Sequence, residues 1–170
     1  MATQRLDRLQ QLATFLYEPS LGFVQAVEKD LAIKLFIVFT WRSSKEQDAL
    51  YQQGREFRRD EGIWAVSDRT KVVTDAPAGH SAHNVVTHVG QPASVALDAV
   101  PMLDDGVLLW HTPRGVWEQI WAVSSRFGFD PLGDAWGAYL KSDLGHFEEP
   151  GWKHKLAGLG LVRPVSELLR

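Results

Sequence analysis

Two short apolar segments limit the architectures that this chain can adopt. Residues 35–40 are rich in β-branched and aromatic side chains, and residues 95–100 form a second apolar run that contains one carboxylate, Asp98. Segments of this length and composition favour buried strands. Residues 72–74 (Val-Val-Thr) predict a third, shorter strand. The expected sheet is therefore small.

Apolar residues at helical spacing predict helices before the first of these strands. Leucines recur at this spacing through residues 6–16, and Pro19 is expected to end this opening helix. A second helix is expected over residues 21–30, where Phe23, Val24 and Val27 fit one face. Helical structure therefore dominates the first thirty residues or so.

Two further helices are expected after the first strand. Ser44 is predicted to cap a helix that stops near Gly54, and residues 116–127 form an amphipathic pattern that ends at Gly128. Residues 55–60 carry charges of both signs and indicate a solvated face. We therefore predict an α+β fold in which helices pack on a small, largely antiparallel sheet.

Length and charge narrow the class of protein. The 170 residues fit one domain, spanning residues 1–170, and no second domain is expected. The formal net charge of −3 offers no basic footprint for nucleic acid. The chain contains no cysteine, which excludes disulfides, thiolate nucleophiles and Cys-type zinc sites. We expect a monomeric globular domain that does not bind nucleic acid.

The N-terminal residues carry no signal-peptide pattern, since they are polar and helix-like. The longest apolar stretch covers residues 31–40 and is interrupted by Lys34, so that it is too short to span a bilayer. We therefore expect synthesis in the cytoplasm without an export signal and without membrane insertion.

Histidines give the first indication of chemistry. Five of the six fall in two regions, His80, His83 and His88 in the first and His146 and His154 in the second. Histidine is the commonest zinc ligand, and a catalytic zinc site uses three protein ligands and keeps a fourth position for water. A carboxylate within an apolar strand, as at Asp98, is costly to bury unless it is paired, and metal binding would offset that cost.

Three motifs occur in a suggestive order. An aromatic–Arg–Ser turn at residues 41–43 precedes a helix containing Gln47, a Ser-x-His segment at residues 81–83 leads to Ala-x-Asp at residues 96–98, and a carboxylate-x-x-His element covers residues 143–146. This order resembles the zinc peptidase family of D-alanyl-D-alanine carboxypeptidases and L-alanyl-D-glutamate endopeptidases, which includes many bacteriophage endolysins. The resemblance extends over about residues 35–149.

The resemblance implies a zinc site with assigned roles. Its ligands would be His83, Asp98 and His146. Asp143 would be the general base and acid, and Arg42 would stabilise the oxyanion or bind a substrate carboxylate. Three further polar residues would lie near the substrate or the ligands: Ser81, Gln47 and His80.

The spacing between two of the implied ligands departs from the family. The family usually places its aspartate seven positions after the histidine, whereas Asp98 follows His83 by fifteen, and the family position holds Gly90. An insertion of eight residues, covering about residues 86–94, accounts for the difference if it lengthens the tip of a hairpin. The insertion also introduces His88 as a competing ligand.

The function implied is zinc-dependent hydrolysis of the peptidoglycan peptide stem, at the L-alanyl–D-glutamate bond. A cytoplasmic protein of this kind fits a phage lysin that reaches the cell wall after release by a holin. Cleavage of D-alanyl-D-alanine is an alternative within the same class. The alternatives from other classes are a metal-free cell-wall-binding module and a hedgehog-like zinc domain that acts through protein contacts.

Overall fold

The computed structural model describes residues 6–131, 144–166 and 168. Eight strands lie within these ranges: β1 (Lys34–Phe39), β2 (Arg55–Arg58), β3 (Ile63–Val66), β4 (Val86–Thr87), β5 (Ala96–Met102), β6 (Asp130–Pro131), β7 (His146–Glu148) and β8 (Leu161–Val162). Four α-helices accompany them: α1 (Thr14–Leu31), α2 (Ser44–Gln52), α3 (Arg114–Ser125) and α4 (Trp152–Lys155). Short 3₁₀ helices cover Asp7–Gln11, Arg69–Lys71, Ala82–Asn84 and Leu156–Leu159.

The central sheet has four strands in the order β1-β5-β7-β6, and each neighbouring pair is antiparallel. Two small antiparallel pairs, β2 with β3 and β4 with β8, stand beside it. Helices α1 and α3 contact each other, and they also contact β1 and β6, respectively. The predicted α+β class, with helices on a small antiparallel sheet, is confirmed.

An aromatic cluster joins α1 to the end of the sheet. The Phe23 ring of α1 lies 4.8 Å from the Phe147 ring of β7 and 5.8 Å from the Phe129 ring, measured between centroids. Phe23 and Phe147 are fully buried. Because successive side chains of a strand point to opposite faces, Phe147 in the core places its neighbours His146 and Glu148 on the other face.

The prediction that Pro19 ends the opening helix is wrong. Asp7–Gln11 is a 3₁₀ helix, and the α-helix begins only at Thr14 and continues through Pro19 to Leu31. A proline within a helix costs about 3 kcal/mol. Three large residues buried beyond it, Phe23, Val24 and Val27, each contribute roughly 1.5–3 kcal/mol, so that continuing the helix outweighs the cost.

The small strands also differ from the expectations. Residues 72–74 form no strand, and Val73 is half exposed. Residues 55–60, expected to be a solvated face, begin the β2–β3 hairpin, whose cross-strand pair Phe57 and Trp64 has ring centroids 5.6 Å apart. The face is largely exposed, as expected, but its pairing with β3 was not predicted. None of the helices in the described part of the chain has the length and apolar character needed to cross a membrane.

Gly145 allows β7 to lie close to β5. Its carbonyl accepts a hydrogen bond from the Ala99 amide at 2.9 Å, and a Cβ atom at this position would lie 2.2 Å from the Ala99 carbonyl oxygen. Both contacts involve backbone atoms, which cannot rotate away. The residue before His146 therefore has to be glycine if the two strands are to keep their separation.

We expect Gly145→Ala to reduce the free energy of unfolding by about 1–3 kcal/mol, because the added methyl group forces the two backbones apart. Thermal or urea unfolding measures the change. Gly115→Ala is the matched control, since no atom lies within 4 Å of the Cβ position there and alanine is the better helix former. Equal stability of Gly145→Ala and the wild-type protein would contradict this account of the strand contact.

Candidate metal centre

His83 lies in the 3₁₀ turn Ala82–Asn84, and two contacts fix its orientation. The Ser81 hydroxyl caps the turn by accepting from the His83 amide at 3.3 Å. The imidazole Nδ1 lies 2.6 Å from the Thr40 carbonyl oxygen, which can only accept a hydrogen bond. Nδ1 is therefore the protonated nitrogen, and Nε2 keeps a free lone pair for a metal.

The turn that carries His83 is joined to the loop that carries Arg42. The Arg42 amide donates to the His83 carbonyl at 2.9 Å, and the Asn84 side-chain amide donates to the Arg42 carbonyl at 2.8 Å. The Asn84 carboxamide oxygen in turn accepts from the Gly79 amide at 2.6 Å. Asn84 is fully buried, so these bonds hold the two segments together in the absence of competing solvent.

Asp98 and His146 are direct cross-strand partners on β5 and β7. Their side chains lie on one face, and His146 Nδ1 is 2.9 Å from Asp98 Oδ1. His83 reaches the same point from its turn, with Nε2 3.1 Å from both Asp98 Oδ1 and His146 Nδ1. Three atoms that commonly bind metals therefore converge from three segments of the chain.

This group could hold a metal ion. Three atoms about 3 Å apart can all lie about 2.0–2.2 Å from one ion, and these are the bond lengths of zinc to imidazole nitrogen and carboxylate oxygen. His83 and His146 are buried, and Asp98 is partly buried. The donor set and its spacing can therefore accommodate one metal ion.

The second oxygen of Asp98 is bound by Arg42. Arg42 Nη2 lies 2.7 Å from Asp98 Oδ2, and the guanidinium stands 4.8 Å from the centre of the Phe39 ring. Without a metal, burial raises the pKa of Asp98, but positive charge on His83 and N–H donation from His146 and His83 outweigh it, so that this pKa lies well below its ordinary value. A bound metal would take the place of the protons on His83 Nε2 and His146 Nδ1. Asp98 is therefore present as the carboxylate that metal binding requires.

Glu148 holds the far side of the His146 ring. Its Oε2 lies 3.3 Å from His146 Nε2, and the two residues share a face of β7. A carboxylate at this position keeps the proton on Nε2 and leaves the Nδ1 lone pair directed toward Asp98 and His83. The two histidines are thus oriented by different acceptors, a main-chain carbonyl for His83 and a carboxylate for His146.

A cleft of about 500 Å³ opens beside the group. Its lining includes both histidines, Arg42 and Glu148, so that a ligand in the cleft can reach the metal-binding atoms. Two residues expected near a substrate, Ser81 and His80, also line it. Gln47 is fully buried and donates to the Ala76 carbonyl at 2.7 Å, which places it behind the cleft wall.

Asp143, the expected general base, lies outside the described residues. His88, the competing ligand, is exposed in the turn after β4 and does not belong to the metal-binding group found among the described residues. The structure therefore groups Asp98 with the two histidines in spite of the unusual spacing.

Residues 86–92 form a tight hairpin. The Thr87 amide donates to the Gln91 carbonyl at 2.9 Å, and Gly90 has the positive φ of 80° that the turn requires. On its other edge, β4 pairs with β8 of the C-terminal segment. This hairpin therefore also contacts the chain that follows the metal centre.

Several contacts at the site could not be identified from the motifs. The carbonyl of Thr40 and the ring of Phe39 follow a predicted strand, but which ligand they touch depends on the folded sheet. Trp152 and Lys153 line the cleft and lie beyond the region of the resemblance. For Glu148, the only indication in the sequence of a role at the site was its position two residues after His146. No family model matches this sequence, and the resemblance itself remains a prediction.

Replacing Asp98 and His88 by alanine, one at a time, tests the assignment of Asp98 as the third ligand. Asp98→Ala should lose most bound metal and be less stable, because metal binding contributes to folding free energy. His88→Ala should keep about one equivalent, as the wild-type protein does. Elemental analysis of the purified proteins measures both. Metal retained in Asp98→Ala and lost in His88→Ala would show that the assignment is wrong.

Replacing Glu148 tests whether it orients His146. Glu148→Ala should weaken metal affinity by about 10–100-fold, the usual effect of removing such a hydrogen-bond partner. Glu148→Gln keeps an acceptor oxygen and should therefore reduce the metal affinity less than Glu148→Ala does. Competition with a chromogenic chelator gives the affinities. Glu149→Gln is the control, because Glu149 pairs with Lys155 instead, and an unchanged affinity in Glu148→Ala would exclude the role.

Proposed function

We propose that this protein is a zinc-dependent peptidase that hydrolyses the peptide stem of peptidoglycan, at the L-alanyl–D-glutamate bond. The observation that carries the proposal is the convergence of His83, Asp98 and His146 beside an open cleft. The three motifs occur in the order found in the family of peptidoglycan peptidases that the sequence resembles, and this order supports peptidoglycan as the substrate.

The donor set supports zinc over other common ions. Two imidazole nitrogens and one carboxylate oxygen are typical of zinc, whereas calcium and magnesium prefer sets made of oxygen alone. Two neutral imidazoles and one carboxylate leave a net charge of about +1 around a divalent ion, and this charge favours activation of a bound water. Thiolate sites are excluded by the absence of cysteine.

The number of ligands and their access support catalysis. Structural zinc sites usually have four protein ligands, whereas catalytic sites have three and keep a position for water or substrate. The group found in the described part of the chain has three members, and two of them line the cleft. A cleft of about 500 Å³ is large enough for a short peptide.

The chain's own residues have distinct tasks in the proposed reaction. When bound, zinc supplies an acidified water and polarises the scissile carbonyl. Asp143 is proposed to take the proton from the attacking water and to pass it to the leaving amine. Arg42 holds Asp98 through one donor, and its other N–H groups are proposed to stabilise the oxyanion or bind a substrate carboxylate. Glu148 and Thr40 keep the histidines oriented.

Digestion of purified sacculi tests the proposal. The zinc-loaded protein should release fragments with new D-glutamate amino termini, identified by mass spectrometry, and a chelator should abolish the release. Newly exposed D-alanine termini would instead assign the D-alanyl-D-alanine bond. Binding of sacculi without any new terminus would indicate a cell-wall-binding module and contradict the proposal.

Within the same assay, Asp143→Asn should lose about 10²- to 10⁴-fold in turnover, because the amide cannot act as a base. Its zinc content should stay at the wild-type level, which distinguishes loss of the base from loss of the metal. Near-normal turnover would assign the base to another group, and Glu148 would then be the next carboxylate to test.

A further inference from the structure

We infer that Lys153 selects substrates that carry a free carboxylate next to the scissile bond. This inference rests on the proposed function, because it concerns the same cleft. Lys153 lines that cleft together with His83 and His146. It follows Trp152, and neither residue belongs to the motifs that indicate a peptidase.

The ammonium group of Lys153 has a defined environment. Its Nζ lies 5.6 Å from the centre of the Trp152 ring, and the residue is exposed. Over residues 6–131 and 144–166, no carboxylate pairs with this ammonium. Lys155, two residues further along the same short helix, is different, because its Nζ lies 2.5 Å from Glu149 Oε1.

Among the described residues, the carboxylates at the cleft have partners within the chain. Asp75 pairs with Arg55 at 2.6 Å, and Glu148 contacts His146 at 3.3 Å. Asp98 is shared between Arg42 and the histidines. None of these described acidic groups therefore neutralises the positive charge of Lys153. Binding of a ligand with a negative group near this ammonium would be favoured.

The segment that carries Lys153 is held in place before a ligand arrives. Arg163 Nη2 donates to the Lys153 carbonyl at 3.0 Å, and the Arg163 guanidinium lies 5.4 Å from the Trp152 ring centre. Trp152 is buried, and β8, which precedes Arg163, pairs with β4. Only the side chain of Lys153 is left to adjust, so that binding a carboxylate requires little ordering of the backbone.

The proposed substrate can supply such a negative group. A stem peptide with D-glutamate after the scissile bond has a carboxylate within a few bonds of the reacting carbonyl. Converting that carboxylate to a carboxamide removes the negative charge and leaves the size almost unchanged. Comparing the acid with the carboxamide therefore isolates the contribution of charge to binding. An ammonium distinguishes the two forms by charge, and a hydrophobic wall does not.

The test uses the zinc-loaded full-length protein and two synthetic stem peptides, one with the free carboxylate and one with the carboxamide. The wild-type protein should show about a tenfold lower KM for the acid, since a charge-assisted hydrogen bond is roughly twice as strong as a neutral one. Lys153→Ala should lose this preference, and Lys153→Glu should reverse it. Lys155→Ala is the matched control and should retain the preference for the acid. The zinc content of the wild-type protein and of all three variants should be equal.

Calorimetric titration of the same peptides separates this inference from the proposed function. Acid-selective binding that depends on Lys153, without turnover, would support the inference and contradict the peptidase. Turnover with equal preference for acid and amide, or with the preference retained in Lys153→Ala, would overturn the inference and leave the peptidase intact. If the protein shows no binding and no turnover of either peptide, both the inference and the proposed function are overturned.

Discussion

The antiparallel register between β5 and β7 sets Asp98 opposite His146, and the metal centre depends on this pairing. Side chains alternate along a strand, so a shift of one residue would direct Phe147 toward the cleft and His146 into the core. The buried aromatic contact between Phe23 and Phe147 opposes such a shift. Core packing thus fixes the register, and the register in turn fixes the distance between two candidate ligands.

The electrostatics of the centre follow from the same arrangement. Asp98 lies where β5 runs between β1 and β7, and its two oxygens contact different groups: Oδ2 contacts Arg42, and Oδ1 contacts the two histidines. Each histidine has its second nitrogen held by an oxygen, from Thr40 or Glu148. A carboxylate that would be costly to bury alone is thereby stabilised by groups on several different elements.

The sequence predicts the parts of this site whose signals are local. The apolar runs of β1 and β5 can be inferred from composition, whereas the grouping of His83, Asp98 and His146 was implied by the family resemblance. The continuation of α1 through Pro19 cannot be inferred in either way, because it depends on burial against residues distant in sequence. The same holds for the Thr40 carbonyl and for Lys153, whose roles arise from tertiary contacts. Asp143 lies outside the described residues, and its role stays a prediction.

The C-terminal segment is joined to α2 by a buried hydrogen bond from the Ser166 hydroxyl to Asp48, between residues 118 positions apart in the sequence. During synthesis, β1 and β5 emerge from the ribosome before β7, which supplies His146. A nascent chain can therefore present two of the three candidate ligands but cannot complete the centre until β7 has joined the sheet. The segment with Lys153 follows His146 in the sequence, so that this part of the cleft can form only after all three candidate ligands have been synthesised.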